Sequence, residues 1–167
     1  EIFDAQKLVP EAIANNYLQE REVSPTSQPL YLSRKKMPSH KRLIYNENEL
    51  EQMLADRGCA IVDTQELPLG EQIALINKHD TIISTMGSAL HNILFNVTGQ
   101  KNIVCLGYED YINPNFLMYD AIKKVSATYI AGLQRDPSCN KKGNFDNQNR
   151  FVDLSLTLSA LKDIDLL

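Results

Sequence analysis

Short apolar segments alternate with amphipathic segments along most of the chain. The apolar segments are rich in β-branched residues and are too short for helices, which predicts strands at 29–33, 59–62, 80–84, 102–106, 128–131 and 151–154. The amphipathic segments predict helices at 4–22, 46–57, 69–78, 87–95, 115–125 and 155–164. Continuous apolar strands that alternate with helices are typical of a parallel sheet covered on both faces. The sequence therefore predicts an α/β fold: a Rossmann-like three-layer domain with a mostly parallel, doubly wound sheet.

Several residues predict how these segments begin and end. We expect the first helix to be interrupted near Pro10. Asn46 is predicted to cap the second helix, with Glu49 as its capping-box partner, and Gly58 to stop that helix. The polar segment 135–149 is predicted to be a loop. We expect residues 1–28 to be a connecting helix and linker, and residues 29–167 to be the Rossmann-like domain.

Composition narrows the classes of function. The 167 residues are 43% hydrophobic and 23% charged, which is typical of a globular domain. The net charge of −4 argues against a nucleic-acid-binding surface, and no apolar run is long enough to cross a bilayer. The three cysteines have no metal-type spacing and imply no disulfide framework. We therefore expect a cytoplasmic protein without a metal site, able to associate peripherally with the inner face of the membrane.

The loop after the first strand carries basic residues at the edge where doubly wound sheets bind ligands. Ser33, Arg34 and Lys35 leave the strand, and Lys41 and Arg42 follow. An arginine at the end of a strand can bind two phosphate oxygens with its planar guanidinium group. The alternative is an ordinary solvated loop.

The segment after the third strand has small residues at the start of a helix. Gly87, Ser88 and Ala89 would let backbone N–H groups approach an anion such as a diphosphate. The alternative is that Gly87 only permits a tight turn. His91 could hydrogen-bond a ligand or pack inward. Glu71, which opens the preceding helix, is a candidate contact for a ribose hydroxyl.

Other nucleotide-binding motifs are missing from the sequence. Neither a Walker loop nor the glycine spacing of the dinucleotide fingerprint is present, which disfavours an NTPase or a dehydrogenase. No catalytic triad is visible either, so the catalytic residues stay unassigned.

The order of several motifs resembles glycosyltransferase family 61, which includes capsular polysaccharide biosynthesis proteins. The motifs are Tyr-Leu-Ser-Arg at 31–34, Arg42, Asn-Glu-Asn-Glu-Leu at 46–50, Gly58, Leu-Gly-Glu-Gln at 69–72, and the segment 82–92 that ends in His91 and Asn92. The resemblance runs from about Leu30 to Leu106, with a looser similarity at 151–153.

This resemblance implies the C-terminal half of a two-domain GT-B glycosyltransferase that inverts configuration and needs no metal. That half would bind a nucleotide sugar, commonly a UDP-sugar, and transfer a hexosyl or pentosyl group in polysaccharide or glycan synthesis. Arg34 and Arg42 would hold the diphosphate, and Gly87, Ser88 and Ala89 would present the helix start to it. No cofactor beyond the donor substrate is implied.

Two departures qualify the resemblance. Family members often have histidine before the glycine, whereas this chain has Met86, and His91 is a partial substitute one turn further on. The glycan acceptor and the catalytic base would lie on an N-terminal domain outside this sequence. The alternative function is a non-catalytic nucleotide- or phosphate-binding module.

Overall fold

The segments predicted from the hydrophobic pattern are present in the computed structural model, which describes residues 2–19, 21–38, 43–135 and 150–166. The strands are β1 (Leu30–Ser33), β2 (Ala60–Asp63), β3 (Thr81–Thr85), β4 (Asn102–Tyr108), β5 (Ser126–Arg135) and β6 (Arg150–Val152). The α-helices are α1 (Ile2–Leu18), α2 (Glu47–Ala55), α3 (Leu69–Lys78), α4 (Pro114–Lys123) and α5 (Leu154–Asp163). Two 3₁₀ segments, Thr64–Glu66 and Ser88–Phe95, follow β2 and β3. The predicted loop lies almost wholly outside the described residues.

The six strands form one sheet in the order β2-β1-β3-β4-β5-β6. The first five are parallel, and β6 pairs antiparallel with β5. The predicted mostly parallel sheet is confirmed. Because β2 and β3 lie on opposite sides of β1, the chain reverses its direction of winding there. The carboxyl ends of β1 and β3 therefore border a topological switch point, where doubly wound folds bind ligands.

Helices cover both faces of the sheet. Successive side chains of β1 point to opposite faces, so that Tyr31 lies in one core and Leu32 in the other. The Tyr31 face is covered by α2 and α5, through Leu50, Leu54 and Leu161. The Leu32 face is covered by α3, α4 and Ser88–Phe95, through Ile76, Phe116, Leu90 and Ile93.

Helix α1 packs on the outside of the Leu32 face. The expected interruption near Pro10 is wrong, because α1 is continuous through this residue and ends at Leu18. A proline removes a single helical hydrogen bond, and packing offsets that loss. The Tyr17 ring lies directly against Gly70 of α3, and the buried Lys123 ammonium lies 2.7 Å from Glu11 Oε1. A division between a connector and a domain near residue 28 stays a prediction.

The predicted capping box at the start of α2 is wrong. Asn46 occupies the N-cap position but makes no side-chain cap bond. Its amide instead donates to the Val152 carbonyl and accepts from the Val152 N–H, both at 2.8 Å. Pairing with the backbone of edge strand β6 gives two hydrogen bonds where a cap would give one. At the other end of α2, Gly58 has a φ of +84° and terminates the helix as predicted.

Candidate functional site

Arg34 and Gly87 meet at the switch point between β1 and β3. Arg34 directly follows β1, is 8% exposed, and its guanidinium lies against Gly87, two residues after β3. A Cβ atom on residue 87 would collide with Arg34 Nη1. The φ of Gly87 is −170°, which any residue can adopt. Gly87 is therefore needed for the close approach of Arg34, and the alternative that it only permits a tight turn is wrong.

A buried carboxylate fixes the backbone at Arg34. Glu47 is 3% exposed, and its Oε1 accepts hydrogen bonds from the Arg34 N–H at 2.7 Å and from the Tyr31 hydroxyl at 2.9 Å. Burial raises the pKa of Glu47, and the two hydrogen bonds oppose this shift. No pattern in the sequence indicates this role of Glu47, since an acidic residue in the first turn of a helix is usually exposed.

Ser33 and Lys35 lie beside Arg34 and both contact α2. The Ser33 hydroxyl donates to Glu51 Oε1 at 2.6 Å, and Lys35 Nζ lies 3.4 Å from Glu51 Oε2. The Lys35 side chain is about half exposed (51%) and can turn to a ligand. The predicted Arg42 lies outside the described residues, as does Lys41.

Ser88 and Ala89 begin the 3₁₀ segment immediately after Gly87. The helix predicted here is thus present in a tighter form. His91 and Asn92 lie further along the segment and contact neighbouring helices. The His91 ring packs 5.2 Å from Phe116 and 5.1 Å from Tyr119, and burial lowers its pKa. Asn92 Nδ2 donates to Gln72 Oε1 at 2.6 Å.

The structure thus brings six of the predicted site residues together at the switch point. Ser33, Arg34 and Lys35 lie at the end of β1, and Gly87, Ser88 and Ala89 lie at the adjacent end of β3. The His91 and Asn92 side chains make packing contacts with α4 and α3. Glu71 is exposed in the first turn of α3.

A narrow cleft beside Arg34 contains residues that sequence reasoning missed. Thr85, Tyr108 and Arg150 line it together with Arg34. A β-bulge between Leu106 and Tyr108 shifts the register of β4 at this edge. The bulge precedes Tyr108, whose hydroxyl accepts a 2.6 Å hydrogen bond from Arg150 Nε. Tyr108 and Arg150 are far apart in sequence, and the pairing of β6 with β5 and with the segment at Leu43 to Tyr45 brings Arg150 to this edge.

The Tyr108 ring lies close to two arginines. The guanidinium carbons of Arg150 and Arg135 are 4.8 and 5.2 Å from the ring centroid. Arg135 also forms a two-point ion pair with Asp110, with both distances 2.9 Å. Arg150 is 2% exposed, and its backbone bonds to Leu43 and Tyr45. Basic side chains therefore lie along the carboxyl edge from β1 to β6, and Lys35 and Arg135 are paired there with the carboxylates of Glu51 and Asp110.

Three further findings bear on the kind of protein this is. Among the described residues, no group of three histidine, cysteine or acidic side chains could hold a metal ion. The helices in those ranges include none that is long and apolar enough to span a membrane. Residues 3–104, more than half of the chain, match the family model described as Glycosyltransferase 61, whereas no curated protein matches. The matched region contains Arg34 and Gly87 and ends before Tyr108 and Arg150.

Proposed function

The chain belongs to glycosyltransferase family 61, and from that premise we propose that it binds a nucleotide-sugar donor in the crevice between β1 and β3. Membership of the family makes the protein a transferase, with a glycosyl donor and an acceptor as substrates. The donor diphosphate would contact the Arg34 guanidinium and the backbone N–H groups of Ser88 and Ala89.

The observation that carries this proposal is the contact between Arg34 and Gly87. It places a guanidinium group beside the start of a helical segment at the switch point of the sheet. A guanidinium group binds phosphate oxygens in pairs, and free N–H groups at a helix start favour negative charge. These two kinds of donor are complementary on a diphosphate.

The transfer that we propose inverts configuration at the anomeric carbon. An acceptor oxygen bonds to that carbon as the bond to the diphosphate oxygen breaks, and the acceptor proton passes to a base. Arg34 stabilises the negative charge that develops on the departing diphosphate. We propose that the base and the glycan-binding surface lie on an N-terminal GT-B domain, and that this chain alone binds donor without transferring sugar.

The remaining features of the donor site are also proposals. The donor is a UDP-linked hexose or pentose for polysaccharide or glycan synthesis. Lys35 and Arg42 add positive charge beside the diphosphate, and the exposed Glu71 accepts from a ribose hydroxyl. His91 and Asn92 support the segment that carries Ser88. We propose a cytoplasmic protein, peripheral to the inner face of the membrane.

Calorimetric titration with UDP, CMP and GDP tests the proposal. Wild type is compared with Arg34→Glu, and with Arg34→Gln because Arg34 is largely buried. Arg57→Gln is the control, since Arg57 donates to the Met53 carbonyl at 2.8 Å in the turn after α2, away from the crevice. We expect one nucleotide to bind wild type and the control, and both Arg34 variants to lose that binding.

A second titration with the corresponding nucleotide sugar separates a transferase from a simple nucleotide-binding module. If the sugar changes the affinity, the crevice recognises the donor as a whole. If it does not, the non-catalytic module is the better description. A folded wild-type sample that binds none of the three nucleotides would contradict the proposed donor site on this chain.

A further inference from the structure

The backbone form of the segment Ser88–Phe95 needs support from outside the segment. All eight residues are in a 3₁₀ helix, whereas 3₁₀ runs longer than about four residues are uncommon because their hydrogen bonds are poorly aligned. Each N–H in such a helix bonds three residues back, as the Leu90 N–H does to the Gly87 carbonyl at 3.1 Å. The first N–H groups, those of Ser88 and Ala89, have no acceptor within the segment. The direction in which they point is therefore set by whatever holds the segment in this form.

Two side-chain amides, which we call the amide pair, join this segment to the loop before α3. Asn92 Nδ2 donates to Gln72 Oε1 at 2.6 Å, and Gln72 Nε2 donates to the Leu67 carbonyl at 2.8 Å. Asn92 and Gln72 are both half-buried, so water competes for these bonds less than it would at an exposed site. The amide pair thus fixes the middle of the 3₁₀ segment against the start of α3.

The loop before α3 is also bonded to the other border of the donor crevice. Gln65 Nε2 donates at 3.3 Å to the carbonyl of Ser33, the last residue of β1. Leu67, in the same loop, accepts from the amide pair. The loop therefore contacts the end of β1 directly and the 3₁₀ segment through the amide pair. The two elements that carry the proposed phosphate contacts are in this way linked to each other from outside the sheet.

We propose that Gln72 is a positioning residue, which acts through Asn92 to keep the N–H groups at the start of the 3₁₀ segment directed at the donor diphosphate. This inference rests on the proposed function and assigns α3 a part in it. Gln72 itself does not contact the donor. Without the amide pair the segment can leave its 3₁₀ form, and the donor must then order it on binding. The cost of that ordering weakens the affinity.

A double-mutant cycle of Gln72→Met, Asn92→Leu and both changes together tests the inference. Methionine and leucine have nearly the shapes of glutamine and asparagine but no amide group. Each single variant leaves one amide without its partner, whereas the double variant removes both. Gln52→Met is the matched control, because Gln52 Nε2 bonds to Asp56 Oδ1 at 2.6 Å at the end of α2, away from the 3₁₀ segment.

Calorimetric titration measures the binding of inorganic pyrophosphate and of whichever nucleotide among UDP, CMP and GDP binds wild type. Gln72→Met and Asn92→Leu should each weaken both affinities roughly tenfold. The double variant should lose no more than the weaker single variant, because the two residues act through one bond. Gln52→Met should bind as wild type does. If the amide pair only stabilises the fold, the free energy of unfolding falls while the folded variants keep wild-type affinity, and the inference is overturned.

Hydrogen exchange of the Leu90 amide reports on the segment in the ligand-free protein. We expect this amide to exchange faster in Gln72→Met than in wild type, while the amide of Leu32 in β1 is unchanged. Gln72→Glu is the conservative variant, since it keeps an acceptor for Asn92, and it should restore the protection of Leu90. Equal exchange of Leu90 in wild type and Gln72→Met would contradict the positioning role.

The two ligands separate this inference from the proposed function. Equal binding of the nucleotide to wild type and Gln72→Met would overturn the positioning role and leave the donor crevice standing. Binding of pyrophosphate that depends on Gln72, without binding of any nucleotide, would keep the positioning role and overturn the nucleotide-sugar proposal. If the folded wild type binds neither kind of ligand, both proposals are overturned.

Discussion

Glu47 holds the backbone of Arg34 through a 2.7 Å hydrogen bond from the Arg34 N–H to Glu47 Oε1. The same oxygen accepts the Tyr31 hydroxyl at 2.9 Å. The carboxylate thereby ties the end of β1 to the first turn of α2, and the residue that would contact the donor starts from a fixed backbone position. Because the Glu47 carboxyl group is buried, its pKa differs between the folded protein and the unfolded chain. The free energy of unfolding therefore depends on pH.

The first prediction concerns Glu47→Gln. Burial, the largest effect, raises the pKa of Glu47 above its ordinary value of 4.5, so the folded protein holds this proton more tightly than the unfolded chain. The contribution of Glu47 to stability is therefore greatest below pH 4.5 and falls as pH rises through the raised pKa. Glutamine does not titrate. The free energy of unfolding of Glu47→Gln, measured relative to wild type by urea titration, should increase from pH 4.5 to pH 7.

Glu51→Gln is the control for this pH dependence. Glu51 lies on the same helix, is partly exposed, and accepts a hydrogen bond from the Ser33 hydroxyl. If the free energies of unfolding of wild type and Glu47→Gln differ by the same amount at every pH, then folding does not change the pKa of Glu47.

The second prediction concerns Gly87→Ala. The new Cβ would displace only the flexible end of Arg34, so the free energy of unfolding should change by less than about 1 kcal/mol. Donor binding should nevertheless weaken roughly tenfold or more, because the guanidinium must leave its position. Calorimetric titration with the nucleotide that binds wild type measures this loss.

Gly107→Ala serves as the matched control, since its Cβ would meet only Met86 Cε, at 3.0 Å, at the same sheet edge. It should bind nucleotide as wild type does. Gly87→Ala with wild-type affinity would mean that Arg34 does not contact the ligand from its present position.

The layered fold and one side of the site could be predicted from sequence because they depend on local signals. Apolar runs such as 80–84 and 102–106 identify buried parallel strands, and both the basic residue after β1 and the glycine after β3 are visible in the sequence. The switch point follows from strand order, which short-range patterns do not specify. The prediction thus named Arg34 and Gly87 separately, whereas their contact emerges from the order β2-β1-β3.

The other side of the site could not be predicted because it depends on long-range pairing. Asn46 looks like a helix cap until β6 offers it two backbone partners at Val152. Arg150 looks like an isolated charge until that same strand brings it to Tyr108. In each case the sequence signal is a common residue whose partner lies in a distant segment, so no local pattern distinguishes it.

The third prediction concerns Tyr108→Phe. The variant keeps the ring beside Arg135 and Arg150 but removes the acceptor of the 2.6 Å hydrogen bond from Arg150 Nε. Because Arg150 is 2% exposed, water cannot easily replace this acceptor. The free energy of unfolding should fall by about 1 to 2 kcal/mol in urea titrations. Tyr111→Phe, at an exposed site, should change it little; equal effects of the two variants would contradict a structural role for the Tyr108 hydroxyl.

The last prediction concerns how α1 is attached. Glu11→Gln leaves the buried Lys123 ammonium without its counter-charge at 2.7 Å, so stability should fall by about 1 to 3 kcal/mol. Glu22→Gln, exposed beyond the end of α1, is the control.

Hydrogen exchange of Glu11→Gln then shows which part of the chain is affected. If α1 is a connector, only its own amides should lose protection; if it is an integral layer, α3 and α4 should lose protection with it, because Tyr17 packs on Gly70 and Glu11 pairs with Lys123. Protection that is unchanged everywhere in Glu11→Gln would show that the ion pair does not hold the helix.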